Sequence, residues 1–177
     1  MNANNSRIVA LVAAILVAAV LRLLPHPPNF TPIGAMALFS GAYLGRRGLG
    51  FAAPLGAMLL SDAIIGFHPY MWATYLSVML IVLIGWIVQA RITPFRIAAA
   101  AVASSVLFYL LTNFAVWLGS SVYPQTLAGL TACYVAAIPF FQNTLAGDLF
   151  YATFLFGGFR VAELLAPPLR EGTTQLA

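Results

Sequence analysis

The sequence contains no lysine and few charged residues of any kind. Only 7% of its 177 residues are charged, whereas 62% are hydrophobic. A soluble domain has an apolar share of about one half, so this composition excludes an ordinary soluble protein and predicts an integral membrane protein. All eight basic residues are arginines, and they stand at the ends of apolar runs. That placement argues against a nucleic-acid partner despite the net charge of +4.

Residues that often carry chemistry are also scarce. The single cysteine, Cys133, excludes an internal disulfide and a metal site made of cysteines alone. Together with His26 and His68 it could hold a soft metal ion, but the spacing fits no zinc signature, so no metal and no cofactor is predicted. No nucleophile elbow or phosphate-binding glycine loop occurs. Enzyme chemistry would rest on an acid–base pair of Asp62 with His68, which any membrane protein can offer by chance.

What is abundant is apolar sequence, and it predicts an all-α bundle of six transmembrane helices in a single domain over residues 1–177. Because a span needs about 20 apolar residues, breaks at proline, glycine and arginine place the spans at about 8–24, 33–44, 50–67, 71–88, 97–118 and 139–158. The last span is expected to begin near Pro139, since proline is favoured at the first helical position. Residues 119–137 form a semi-polar outer segment with a short interfacial helix, and 166–177 form a tail, disordered from Arg170.

The second span is too short to cross a membrane alone. Its length of about 12 residues corresponds to about 18 Å of helix, against about 30 Å of hydrocarbon. We therefore expect it to be tilted, extended by unusual backbone, or shielded by neighbouring helices.

The arginines predict the orientation. Six spans put both termini on one side, and cytoplasmic termini leave Arg22 as the sole arginine outside. The other seven then lie inside, as the positive-inside rule requires: Arg7, Arg46, Arg47, Arg91, Arg96, Arg160 and Arg170.

A polar, proline-stiffened stretch separates the first two spans. The segment Arg22-Leu-Leu-Pro-His-Pro-Pro-Asn-Phe-Thr-Pro-Ile33 holds four prolines and lies on the outer side in this topology. We interpret it as a semi-rigid lid over a pocket.

Polar and aromatic side chains collect on the same outer side, which predicts a pocket that opens outward. The spacing Tyr109, Asn113, Trp117 gives one helical stripe, and Thr144, Asp148, Tyr151 gives another; two such stripes suit a heterocyclic ligand. An interfacial belt of rings or hydrogen bonds between helices remain alternatives. The candidate substrate-binding residues are Arg22, His26, Asn29, Asp62, His68, Asn113, Trp117, Asn143 and Asp148.

Two acidic residues within the spans are the sharpest candidates. Asp148 lies near the predicted midplane, where an ionised carboxylate is costly and usually faces a cavity or a partner. It could instead be protonated or form an ion pair with Arg22. Asp62, one turn from the outer end of its helix, could bind ligand, be solvated or pair with Arg22.

Several stretches resemble a family of small bacterial membrane proteins of unknown function. The resemblance begins at residues 27–39 (PPNFTPIGAMALF), 58–62 (MLLSD) and 66–68 (GFH), and continues at 112–117 (TNFAVW), 134–143 (YVAAIPFFQN) and 147–148 (GD). It covers nearly the whole chain and implies a multi-pass protein of the bacterial cytoplasmic (inner) membrane.

More distantly, the layout is similar to the substrate-binding S components of energy-coupling-factor (ECF) vitamin transporters. That resemblance implies six helices, a site closed by the loop after the first helix, and docking of a coupling subunit, with its ATPases, on the small residues Ala10 and Ala14. It makes Asn113, Trp117, Asn143 and Asp148 pocket residues. The layout also resembles solitary cobalamin transporters, some of which ligate cobalt through a cysteine, but Cys133 lies in a different part of the chain.

The sequence therefore predicts a transport protein that takes up a small vitamin-like molecule, cobalamin or another heterocycle, from the outer side of a lipid bilayer. One alternative is an accessory or structural subunit whose polar groups only hold helices together. Another is an intramembrane enzyme. For Ala10 and Ala14, tight packing within the bundle is the simpler reading.

Overall fold

The computed structural model describes residues 3–45 and 48–170, and over these ranges the chain forms six α-helices and no strand. Arg46, Arg47 and the tail from residue 171 lie outside the described residues. The helices are α1 (Ala3–Leu21), α2 (Ile33–Leu44), α3 (Leu49–Ile65), α4 (Met71–Gln89), α5 (Pro94–Gly119) and α6 (Leu127–Leu165), followed by a 3₁₀ turn, Pro167–Leu169.

Three helices are long and apolar enough to cross a membrane, namely Asn4–Leu21, Met71–Gln89 and Pro94–Gly119. α2 and α3 are apolar but shorter. Large hydrophobic side chains cover the outside of the bundle: Ile64 is 72% exposed, Ile87 74% and Phe95 82%. A soluble monomer rarely exposes so much contiguous apolar surface, so the fold indicates a membrane protein.

The short helix α2 is the centre of the bundle. Eleven of its 12 residues are buried, and it packs against all five other helices. Of the three expectations for this segment, shielding by neighbours is what the structure shows. Glycines allow the closest approach: a side chain at Gly41 would overlap the carbonyl of Val82 in α4, and one at Gly85 would overlap the carbonyl of Leu38 in α2.

The last helix is much longer than predicted. The expectation that it begins near Pro139, after a separate interfacial helix, is wrong: α6 begins at Leu127 and runs for 39 residues through Pro139. The helix starts there because the Thr126 hydroxyl accepts a hydrogen bond from the backbone N–H of Gly129 at 3.1 Å, which caps the first turn. The expected continuation through Arg160 and Glu163 is confirmed.

The two ends of the bundle differ in character. At one end, the cavity end, the segments 22–32 and 66–70 surround a polar cavity. At the opposite end, Glu163 is buried and lies 2.6 Å from Arg7 and 3.3 Å from Arg160. The Arg7 guanidinium also lies over the ring of Tyr43, 5.7 Å from its centroid, so one arginine connects α1, α2 and α6 at this end.

The close contact of α2 with α4 gives a test of the fold. Gly85→Ala should lower the free energy of unfolding in detergent by about 1–3 kcal/mol, because the added methyl group meets backbone of α2 that cannot move aside. Gly56→Ala is the matched control, since a Cβ there has nothing within 4 Å. Equal thermal stability of the two variants would contradict the packing described.

Candidate functional site

A cavity of about 550 Å³ occupies one end of the bundle. Its volume falls within the range of about 300–1,000 Å³ that is usual for small-molecule sites. The segments 22–32 and 66–70 and the helices α2 to α6 contribute to the wall, including Phe108, Tyr109 and Thr112 on α5 and Phe140, Phe141 and Thr144 on α6.

The structure brings six of the nine predicted binding residues together around this cavity. They share polar or titratable side chains and come from four different segments: Arg22, His26, Asn29, His68, Asn113 and Asp148. Asp62, Trp117 and Asn143 are absent from the wall. Of the two predicted stripes, Tyr109 with Asn113 and Thr144 with Asp148 reach the cavity, whereas Trp117 and Tyr151 do not.

Asp62 is held in an internal ion pair. Its Oδ1 lies 2.6 Å from Nη1 of Arg22, with the two side chains 1% and 11% exposed. The Tyr75 hydroxyl donates to Oδ2 at 2.8 Å, and Arg22 also donates to the Ser61 hydroxyl at 2.5 Å. The contact at Oδ1 is ionic rather than an aligned hydrogen bond. Asp62 is therefore neither solvated nor paired with His68, and the cavity wall at Arg22 is close to electrically neutral.

Asp148 caps the N-terminus of α2. Its carboxylate accepts a hydrogen bond from the Ser105 hydroxyl at 2.6 Å and lies against the backbone of the first turn of α2, at Gly34 and Ala35. It lies so close to Gly34 that any side chain there would overlap it. Pro32, the residue before α2, offers no side-chain cap, and a buried helix start needs an acceptor for its first N–H groups. A carboxylate at this position is also favoured by the helix dipole.

Asp148 is 2% exposed. Its carboxyl group is stabilised by a hydroxyl group and by the start of a helix, not by a positively charged side chain. Among the described residues no arginine forms an ion pair with it. The predicted alternative of an ion pair between Asp148 and Arg22 is therefore wrong, since Arg22 pairs with Asp62. The residue still borders the cavity, so it combines a structural contact with a place in the wall.

The segment 22–32 is anchored on both sides of the cavity. Arg22 fixes the start of the segment to α3. Asn143 on α6 holds the middle of the segment, because its side-chain amide donates a hydrogen bond to the carbonyl of Pro28 at 2.9 Å. The ring of Phe30 lies 5.6 Å from the ring of Tyr151. Asn29 has a φ of 63°, a left-handed conformation that asparagine tolerates better than most residues. Asn143 therefore holds the segment instead of lining the cavity.

Trp117 has a comparable bracing role. Its indole N–H donates to the carbonyl of Pro124 at 3.0 Å, which fixes the loop between α5 and α6. The amide nitrogen of Asn113 donates to the Tyr109 carbonyl of its own helix at 2.8 Å. Cys133 is buried and its thiol contacts the Asn113 carbonyl at 3.5 Å. Within residues 3–45 and 48–170, no three His, Cys, Asp or Glu side chains gather as a metal site.

Ala10 and Ala14 line a separate apolar groove of about 260 Å³ between α1 and α6. Gly158 and Ala162 form part of the opposite wall. Both alanines are partly buried, so the face predicted for docking is a shallow channel along the bundle.

Sequence reasoning missed several polar residues at the site. Ser105, which holds the Asp148 carboxylate, and Thr74 and Thr112, which line the cavity, were not among the candidates. Hydroxyls in membrane helices commonly bond to their own backbone, as Thr112 does to Phe108. Helical spacing could have identified Thr112, because it lies four residues after Phe108 and three after Tyr109, on the same face of α5.

The Arg22–Asp62 pair gives a test by double substitution. Asp62→Ala should cost about 3–5 kcal/mol of stability, because Arg22 would keep an uncompensated, largely buried charge. The double variant Arg22→Met/Asp62→Ala should regain part of that loss. Chemical unfolding in micelles measures both. If the losses of stability in the single variants Asp62→Ala and Arg22→Met simply add in the double variant, the pair carries no coupling energy and the interpretation fails.

Comparison with known proteins assigns the chain to a family but gives it no activity. No curated protein and no solved structure matches it. One family model, described as a family of unknown function (DUF6580), matches residues 2–169. This match supports the first of the two resemblances noted in the sequence and does not extend to transporter S components. The chain therefore belongs to the DUF6580 family.

Proposed function

We propose that the protein binds a small organic molecule in the 550 Å³ cavity and takes it up across the membrane. The observation that carries this proposal is the convergence of polar and aromatic side chains from five segments on one cavity. A bundle stabilised only by interhelical hydrogen bonds would need no such cavity, because protein interiors are otherwise close-packed.

The chemistry of the wall favours a ligand that is partly aromatic and hydrogen-bonding, such as a vitamin-like heterocycle. Phe108, Phe140 and Phe141 supply apolar rings, while Thr112 and Asn113 supply a hydroxyl and an amide. The two acids nearest the cavity end have internal partners, since Asp62 pairs with Arg22 and Asp148 caps α2. The remaining polar groups are mostly neutral, which disfavours a highly charged ligand.

The proposed topology has six spans, cytoplasmic termini and a cavity that faces outward in a bacterial cytoplasmic membrane. It is supported by the arginines Arg7, Arg160 and Arg170, which share the end opposite the cavity with Glu163. Arg22, the exception, lies at the cavity end in an ion pair.

The proposed transport step uses the segment 22–32 as a lid. Its anchors to α3 and α6 are side-chain contacts made by Arg22, Asn143 and Phe30, so they can break without unfolding a helix. Release inward would then need a partner, and by analogy with S components an ECF-type coupling subunit with ATPases would dock on the groove at Ala10 and Ala14.

A second candidate is an accessory or structural membrane subunit. The observation that favours it is that Asp62, Asp148, Asn143 and Trp117 all make internal contacts with an evident structural purpose. A ligand-binding transport protein should retain a small molecule on purification, whereas a structural subunit should not.

Ligand retention is tested on protein purified in mild detergent from its membrane. Mass spectrometry of the denatured sample should reveal a co-purified small molecule, and Asn113→Ala should reduce its retention about tenfold, the effect of losing one buried hydrogen bond of about 1.4 kcal/mol. Gln142→Ala is the matched control, because that amide is exposed on α6 outside the cavity. Absence of any bound molecule, or equal retention by both variants, would favour the structural subunit.

Topology has its own test in whole cells. In a Cys133→Ser background, Val122→Cys should react with an impermeant maleimide from outside, because Val122 is 74% exposed in the loop between α5 and α6. Ala90→Cys, exposed in the loop between α4 and α5, should react only after permeabilisation. The reverse pattern would overturn the orientation.

A further inference from the structure

A second cavity lies at the opposite end of the bundle, between α5 and α6, with a volume of about 440 Å³. We call it the α5–α6 groove and define it by Ile92, Pro94 and Ile97 on one side and Phe156, Gly157 and Arg160 on the other. No residue lines both this groove and the polar cavity, so the two sites are separate.

The wall of the groove is apolar and open to the surroundings. Ile97 and Phe156 present hydrocarbon to its interior. A Cβ added at Gly157 would have nothing within 4 Å, so this part of the wall is not covered by another helix. Phe95, next to Pro94 in the wall, is 82% exposed, which places the groove on a surface suited to lipid hydrocarbon.

One cation stands at the edge of this apolar wall. The Arg160 side chain is 67% exposed and only 3.3 Å from Glu163. The charge of Glu163, however, is already compensated by Arg7, which is closer, at 2.6 Å, and largely buried. Arg170 is directed elsewhere, to the carbonyls of Glu163 and Leu164 at the end of α6. The cluster of three arginines and one glutamate therefore carries excess positive charge, and Arg160 is its accessible member.

We propose that the α5–α6 groove binds an anionic phospholipid, with one acyl chain along Ile97 and Phe156 and the phosphate on Arg160. A mostly apolar groove with an accessible guanidinium at its edge matches the two parts of such a lipid. Basic pockets between membrane helices bind acidic headgroups in this way, and a guanidinium pairs well with phosphate oxygens. The proposal needs a membrane protein but does not depend on transport through the polar cavity.

The experiment uses the full-length protein, delipidated in detergent and then titrated with phosphatidylglycerol or phosphatidylcholine of identical acyl chains. Native mass spectrometry should show at least fivefold higher retention of the anionic lipid. Arg160→Gln should abolish this preference, and Arg160→Lys should keep part of it. Gly157→Leu, which fills the groove, should reduce retention of both lipids.

The matched control is Arg170→Gln, which removes the same charge at the same end without touching the groove. It should retain the wild-type preference. Equal retention of both lipids by the wild-type protein would overturn the proposal, as would equal losses in the Arg160→Gln and Arg170→Gln variants. Thermal unfolding of lipid-free variants verifies that each is folded, and Arg160 is exposed enough for the substitution to leave packing intact.

Discussion

The contact between Asp148 and the start of α2 is the interaction on which the architecture depends. A short central helix places its first N–H groups inside protein, where water cannot satisfy them. α6 supplies the missing acceptor, α5 positions it through Ser105, and Gly34 leaves it room. The segment 22–32 must then enter α2 beside α6, and that path makes it a roof of the polar cavity.

Charge is used sparingly, and where it occurs it connects helices that are distant in sequence. Arg22 with Asp62 joins the end of α1 to α3, and Arg7 with Glu163 joins the start of α1 to α6. Removing one partner of such a pair costs far more than the pair itself contributes. The acids therefore hold the helices together, whereas Asn113 and Thr112 are neutral hydrogen-bonding groups in the cavity wall.

Hydropathy and helix-breaking residues predicted the helices α2 to α5 well, and the length of α2 alone showed that it needs shielding. The start of α6 could not be predicted in the same way, because Pro139 is favoured at a helix start and also tolerated inside a membrane helix; the Thr126 cap decides between them. The function of Asp148 as a cap depends on contact between residues more than 100 positions apart, which spacing within one helix cannot reveal. For the same reason Asn143 and Trp117, grouped with the cavity by their polarity, brace loops instead.

Pro139 has a mechanical consequence for α6. A proline has no N–H, so the carbonyl of Val135 loses its partner within the helix, and α6 is weakest at that turn. The part before Pro139 is tied to α5, where the Tyr109 hydroxyl donates to the Tyr134 carbonyl and the Tyr134 hydroxyl to the Leu110 carbonyl. The part after it carries Asp148. The turn at Pro139 therefore separates a part of α6 that is bonded to α5 through tyrosines from a part that is bonded to α5 through Ser105 and Asp148.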